Sequence, residues 1–282
     1  MANIRLGQVN YLNTLPVYHA LEDGIVPFTG QLVKGPPTML NRMFLEGDLD
    51  VTCISSVEYA RNVEQCLILP NLSVSADGPV QSIFLFSHVP VTELEGKKVN
   101  LTSSSSTSVA LLKVLFDHYY HVTANYQTVP PDLEEMMASA DGALLIGDDA
   151  MRAHLKVCRE KLPYHITDLG EAWKQFTGEK MVFALWVINK PFALAHPEQV
   201  NVLCDALWQA KAYTAEHPSG LFEKARRRSG LPFEILEQYF KTISNDFNQD
   251  HRRALLTFYD YCYKSALIEE RVRLTIWGEE GV

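Results

Sequence analysis

The feature that most constrains this chain is an alternation of short apolar or β-branched runs with amphipathic stretches, sustained over residues 4–188. Ile4 to Val9 reads as a strand, and Pro16 opens a helical segment running to about Glu22. Gln31 to Lys34 is a second strand, and the helix after it stops at Gly47. Asp50 to Ile54 follows as a strand, with Ser55 or Ser56 capping a helix from Val57 to Val63. Ser82 to Ser87 is a further strand. Beyond Val89-Pro90 the pattern resumes with strands at Val99 to Leu101, Ala124 to Val129 and Ala143 to Ile146. Helices are expected between and after them, over Ser106 to His118, Pro131 to Ala138 and Ala150 to Val157. Met181 to Ile188 is apolar throughout, as a central strand buried on both faces would be. From His196 the pattern is helical nearly to the end.

Strand–helix alternation of this kind implies parallel α/β sheets. Two such blocks joined by extended passages predict a two-lobed, hinged ligand-binding architecture finished by C-terminal helices. Residues 1–91 and 189–282 form one lobe in this reading and 92–188 the other. A ligand is then expected in the cleft, at strand C-terminal ends and helix N-termini. With 282 residues, 47% of them hydrophobic and 21% charged, the chain can bury a core of that size.

The formal net charge of −9 argues against nucleic acid or an anionic membrane as partner. The strongest basic run, Arg226-Arg227-Arg228, reads as the last turn of a solvated helix ending at Gly230. No basic segment followed by an apolar stretch opens the chain, and no apolar run approaches a membrane span, so a cytoplasmic location is expected. The five cysteines are scattered and expected to be reduced and mostly buried. Neither they nor the nine histidines show metal-ligand spacing, and no glycine-rich nucleotide fingerprint occurs. No metal and no organic cofactor are therefore expected.

Four segments carry possible chemistry. Val9 to Pro16 places Asn10, Asn13 and Thr14 directly after the first strand, where they could face a cleft ligand or cap the next helix. Thr102 to Ser108 is a run of hydroxyls opening an apolar helix; Ser103, Ser105, Ser106 and Thr107 there suit an anion better than a plain loop would need. Asp148 and Asp149 follow a buried strand, as acid–base groups or as helix caps. Asp168 to Trp173, with Phe183 to Trp186, brings aromatics that could pack on a planar ligand, although Trp173 reads as core.

Together these segments resemble the chorismate dehydratase family of the futalosine route to menaquinone. The matching stretches are VNYLNTLP at 9–16, GDLDVTCISSVEYA at 47–60, GPVQSIFLFS at 78–87, SSTSVALL at 105–112, ALLIGDDAM at 143–151, and DLGEAWKQFTG with VFALWV at 168–187. The resemblance implies a type II periplasmic-binding-protein-like fold and a hydro-lyase that turns chorismate into 3-[(1-carboxyvinyl)oxy]benzoate and water. Asn13 and Ser82 fall at positions the family uses to contact ligand, and the serine-rich helix start would hold a carboxylate. Ser55, Asp148 and Phe183 are further candidates for substrate contact. Two alternatives stand beside this reading: a non-catalytic binding protein for a small carboxylate, and the sister dihydroxynaphthoate synthase. The proton could leave to the substrate's own enolpyruvyl carboxylate or to Asp148 or Asp149. Oligomeric state is not read from the sequence.

Overall fold

A computed structural model describes residues 4–279. The chain begins with β1 (Arg5–Val9), a tight turn over Leu12–Thr14, α1 (Leu15–Glu22), β2 (Gln31–Gly35), α2 (Pro37–Leu45), β3 (Val51–Ser55), α3 (Ser56–Arg61) and β4 (Cys66–Ala76). It continues through β5 (Ile83–Ser87), β6 (Lys98–Thr102), α4 (Ser106–Leu115), β7 (Asn125–Val129), α5 (Leu133–Ser139), β8 (Gly142–Ile146), α6 (Gly147–Glu160), β9 (His165–Asp168) and α7 (Leu169–Thr177). It closes with β10 (Met181–Asn189), α8 (Lys190–Ala195), α9 (Pro197–Glu216), α10 (Pro218–Ser229), α11 (Phe233–Thr242), β11 (Ile243–Ser244) and α12 (Gln249–Lys264).

These strands form two sheets. The first has the order β11-β4-β10-β3-β1-β2 and the second β7-β6-β8-β5-β9. In each, the strand that arrives from the other sheet runs against its neighbours. β10 is antiparallel to β3 and β4, and β5 is antiparallel to β8 and β9. The expectation of parallel sheets therefore holds for β1–β2, β1–β3, β6–β7 and β6–β8 but not for the two crossing strands.

Two strands lie in the sheet opposite to the one the lobe ranges imply. The strand expected at 82–87, placed with residues 1–91, pairs in the second sheet; Met181 to Ile188, placed with 92–188, pairs in the first. Ile83 to Phe86 and Met181 to Ile188 are apolar throughout, so their sequences require burial without saying between which neighbours. Met181 to Ile188 is the central strand expected of it, with Val182, Leu185, Trp186, Val187 and Ile188 inaccessible to solvent. Trp186 packs beside Tyr18 at 5.9 Å and donates its indole N–H to the Tyr18 hydroxyl, which donates in turn to the Gly7 carbonyl. A buried indole finds a partner, as it must.

β4 is the longest strand and was not foreseen. Pro70-Asn71 interrupts its apolar run, and Asn71 sits at φ 60°. The C-terminal segment covers its outer edge: Thr275 accepts from the Ile68 amide, and Trp277 donates to the Ile68 carbonyl.

α12 braces the two sheets. Tyr259 donates to the Ser56 carbonyl at the start of α3, while Phe258 and Tyr261 pack edge-on against Trp173 of α7. Trp173 is core, as expected. The Arg226-Arg227-Arg228 run does end a helix at Gly230, in the left-handed conformation. It is not wholly solvated, however. Arg228 grips Glu22 with both carboxylate oxygens at 2.7 Å, and Lys34, Lys224 and Gln8 converge on the same buried side chain. Four of the five cysteines are buried; Cys158 is exposed.

Candidate active site

A cavity enclosing about 620 Å³ of atom-free space, its mouth included, lies between the two sheets. Its walls are the ends of β1, β3, β4, β8 and β10, the segment before β5, and the N-terminal ends of α4 and α6. Of the residues expected at the site, Asn13, Ser55, Ser82, Ser105 and Phe183 line it together. Ser103, Ser106, Thr107 and Asp148 do not.

Each of those four has a physical reason. Ser103 is exposed at the loop's outer edge. Thr107 turns away from the cavity: it accepts from the Val57 amide at 3.1 Å and shares a hydrogen bond with Ser56, tying α4 to α3. Ser106 sits on the first turn of α4, one residue past the cap. Asp148 accepts from the Leu12 amide at 3.3 Å, behind the cavity wall. Burial pushes its carboxyl up to about 6 against the Leu12 hydrogen bond and Arg152; Asp149 adds to the rise and Arg228 opposes it.

The α4 end of the cavity is built from serines with divided tasks. Ser105 is the N-cap; its oxygen accepts from the Ser108 amide and its proton goes to the Ser108 hydroxyl. The Ser108 hydroxyl therefore keeps its own proton for a ligand. The amides of Ser106 and Thr107 have no acceptor within the helix. Ser104 shares a short hydrogen bond with Thr102 (2.6 Å) and lies near the Tyr11 hydroxyl, whose pKa is raised by burial. On the opposite wall, Ser55 precedes α3 without capping it, and its hydroxyl is buried with no partner. It is a donor waiting for an acceptor.

Asn13 is half-buried on the turn after β1, and its carbonyl accepts from Asn245. Ser82 is 2% exposed; its hydroxyl donates a long hydrogen bond to the Val80 carbonyl (3.4 Å) and lies near the Tyr239 hydroxyl. Its segment is held by Asp168, which accepts from the amides of Val80 and Gln81 while also capping α7 through Gly170 and Glu171. Phe183 lies at a register shift in the β10–β4 ladder, a bulge that aims its ring into the cavity.

Sequence reasoning missed Tyr11 and Gly147 as lining residues, whereas Ser104 and Ser108 belong to the hydroxyl run expected to face a ligand. Both stand inside segments already singled out, but nothing local separates Tyr11 and Gly147 from their neighbours. Gly147 has a signal only in three dimensions: φ is 60°, and a Cβ there would stand 3.3 Å from the Tyr11 ring. No lining residue carries a formal charge. Among the described residues, no three His, Cys, Asp or Glu side chains gather as a metal site, and no helix is long and apolar enough to cross a membrane.

Two sheets of this topology around a cleft, with helices following, define a protein of the periplasmic-binding-protein type. Solved structures of similar fold agree. Protein AF1704 of Archaeoglobus fulgidus superposes with a TM-score of 0.77 at 19% identity, over 94% of this chain and 98% of that one. The periplasmic aliphatic sulphonate binding protein of Escherichia coli superposes at 0.68 and 14% identity, over 99% and 95%. The Candida albicans CA3427 product, described as having the generic periplasmic binding protein fold, superposes at 0.71 and 11% identity, over 100% and 99%. The model of the menaquinone biosynthesis family matches residues 4–264, and the chain belongs to that family. It is also similar to two curated chorismate dehydratases. That of Thermus thermophilus is 29% identical over 265 residues, 90% of this chain and 93% of the relative. That of Campylobacter jejuni is 28% identical over 182 residues, 63% and 64%.

Proposed function

We propose that this chain is a chorismate dehydratase, a hydro-lyase that removes the C4 hydroxyl and the C3 proton of chorismate to give 3-[(1-carboxyvinyl)oxy]benzoate and water. The observation that carries the reading is the lining of the cavity: neutral hydroxyls, one amide and two helix N-termini between apolar walls, with no charged side chain. The near full-length similarity to chorismate dehydratases supplies the substrate.

Chorismate is a dianion. In this cavity the N-terminal ends of α4 and α6 offset its charge, and hydroxyls donate to its oxygens. The ring carboxylate rests against Ser104, Ser105 and Ser108, with Ser55 donating from the other wall and Phe183 against the ring. The C3 proton is vinylogous to that carboxylate through the C1=C2 bond. When the C3–H bond breaks, its electron pair spreads onto the carboxylate, where preorganised donors stabilise it most. The substrate's enolpyruvyl carboxylate takes the proton. The C4–O bond then breaks, the pair closes the aromatic ring, and the departing hydroxide receives the proton and leaves as water. Asn13 and Ser82 donate to that oxygen as it departs.

The reading divides the chain into a lobe of residues 4–76 with 181–279 and a lobe of residues 83–177, and places the protein in the cytoplasm. The test is to incubate purified protein with chorismate and follow absorbance and product mass. Conversion to an aromatic ether lighter by one water supports the dehydratase. Stoichiometric binding without turnover would instead identify a carboxylate-binding protein.

A further inference from the structure

Beyond the cavity lining, two backbone groups meet at one point. The Gly147 amide donates to the Ser82 carbonyl at 2.7 Å, continuing the β5–β8 ladder one step past the Ile83–Ile146 pair. The next residue, Asp148, accepts from the Leu12 amide at 3.3 Å, one position before Asn13. We infer that Gly147–Asp148 is a positioning device for the proposed elimination, holding the backbone of Ser82 and of the Asn13 turn from a single helix start and so fixing the spacing of those two side chains across the cavity. The inference rests on the reading of Asn13 and Ser82 as the groups that meet the departing oxygen.

Three features support the assignment. The Asn13 turn belongs to the first sheet and Ser82 precedes the second, so no strand ladder of either sheet sets their separation. A hydrogen bond that crosses between the sheets must do so: Gly147 holds Ser82 within the second sheet, and from the next residue Asp148 reaches across to the Leu12 amide of the first. Gly147 also needs its missing side chain. Its φ of 60° suits glycine, and the Tyr11 ring lies where a Cβ would be crowded at 3.3 Å. Finally, Asp148 does not line the cavity, so its carboxylate holds a backbone amide and does not meet substrate. Reacting groups misplaced by a fraction of an ångström lose rate before they lose binding.

The test separates positioning from proton transfer and from mere stability. Asp148→Asn keeps an oxygen for the Leu12 amide but removes the carboxylate; Asp148→Ala removes both. Alongside them, Asn13→Ala and Ser82→Ala are assayed in the otherwise native chain. Amide exchange at Leu12 is followed by NMR in every variant. The expected result is a kcat for Asp148→Asn within about threefold of the parent, and for Asp148→Ala a kcat lowered more than about tenfold with KM within about threefold. Leu12 should stay protected in Asp148→Asn and exchange freely in Asp148→Ala. Should Asp148→Ala fail to fold, Gly147→Ala carries the test: it should also lower kcat more than KM. Loss of activity in Asp148→Asn with Leu12 still protected would make Asp148 a proton-transfer group and overturn the inference. Full activity in Asp148→Ala, or in Gly147→Ala where that variant stands in, also overturns it while leaving the dehydratase reading intact if Asn13→Ala and Ser82→Ala are inactive. If those two variants are fully active, the roles of Asn13 and Ser82 fall, and the positioning role with them.

Discussion

Asn13 and Ser82 sit in the cavity with side chains nearly free of protein partners, and free donors in a half-closed pocket are what a departing oxygen needs. Nothing in their local sequence distinguishes them from Asn10 or Ser87, which is why resemblance and not chemistry singled them out. Asn13→Asp replaces a donor with a charge that repels a dianion. We expect kcat to fall by about a hundredfold or more with the melting temperature unchanged, since the Asn13 side chain anchors nothing. Steady-state kinetics and a thermal melt check both halves, and full turnover would remove Asn13 from the mechanism. Asp148 is the opposite case. It was named as a substrate contact or a base, but its carboxylate faces the Leu12 amide. The distinction lies entirely in a partner 136 positions away in the sequence.

At the level of elements, α4 shows how a hydroxyl-rich segment becomes a site. The run Thr102 to Ser108 is legible as a capped helix start because so many hydroxyls precede an apolar face, and three of its serines line the cavity. Its internal division is not legible, since Ser105, Ser108 and Thr107 differ only in what lies opposite each. Ser105→Ala removes the N-cap and should lower stability by about 1 kcal/mol. The same change frees the Ser108 amide and hydroxyl from their present partners, so substrate affinity should fall by about tenfold, as for the loss of one charge-assisted hydrogen bond. Denaturant titration and KM measure the two effects separately; an unchanged KM would place the carboxylate elsewhere. Thr107 predicts a contrast. Thr107→Val breaks the tie between α4 and α3 and should cost about 1–3 kcal/mol through the unpartnered Val57 amide, with no loss of substrate contact.

For the whole molecule, the ion cluster at Glu22 decides acid stability. It joins β1 through Gln8, α1 through Glu22, β2 through Lys34 and α10 through Lys224 and Arg228. Burial alone would raise the Glu22 carboxyl, but hydrogen bonds from Arg228, Lys34, Lys224 and Gln8 outweigh it and hold the carboxyl at about 2. A carboxyl depressed in the folded state stabilises above its unfolded pKa, here 4.5, and the gain is lost as pH falls toward 2. The separation corresponds to about 3 kcal/mol. Denaturation midpoints measured from pH 6 to pH 2.5 should therefore fall more steeply in the parent than in Glu22→Gln, which is less stable at neutral pH because Lys34 and Arg228 lose their counter-ion and Lys224 keeps only Asp23. Parallel curves would show that other carboxyls govern the acid limb.

By itself the sequence determined most of the strands and helices of the first 188 residues, though not β4 or β9, that the chain alternates them in two blocks, that 181–188 is buried on both faces, and that a hydroxyl-rich segment opens a helix. All of these follow from local periodicity, from capping chemistry or from a run of like residues. Only the tertiary structure decided that 83–87 and 181–189 exchange sheets, that Pro70-Asn71 interrupts a strand without ending it, that Arg228 pairs with the buried Glu22 carboxylate, and that Thr107 and Asp148 accept from the Val57 and Leu12 amides. Each of these depends on a partner far away in the chain, as Arg228, itself exposed, does on the buried Glu22 carboxylate. Periodicity reports that a face is buried, but neither the neighbour across a ladder nor the counter-ion of a buried charge leaves a local trace.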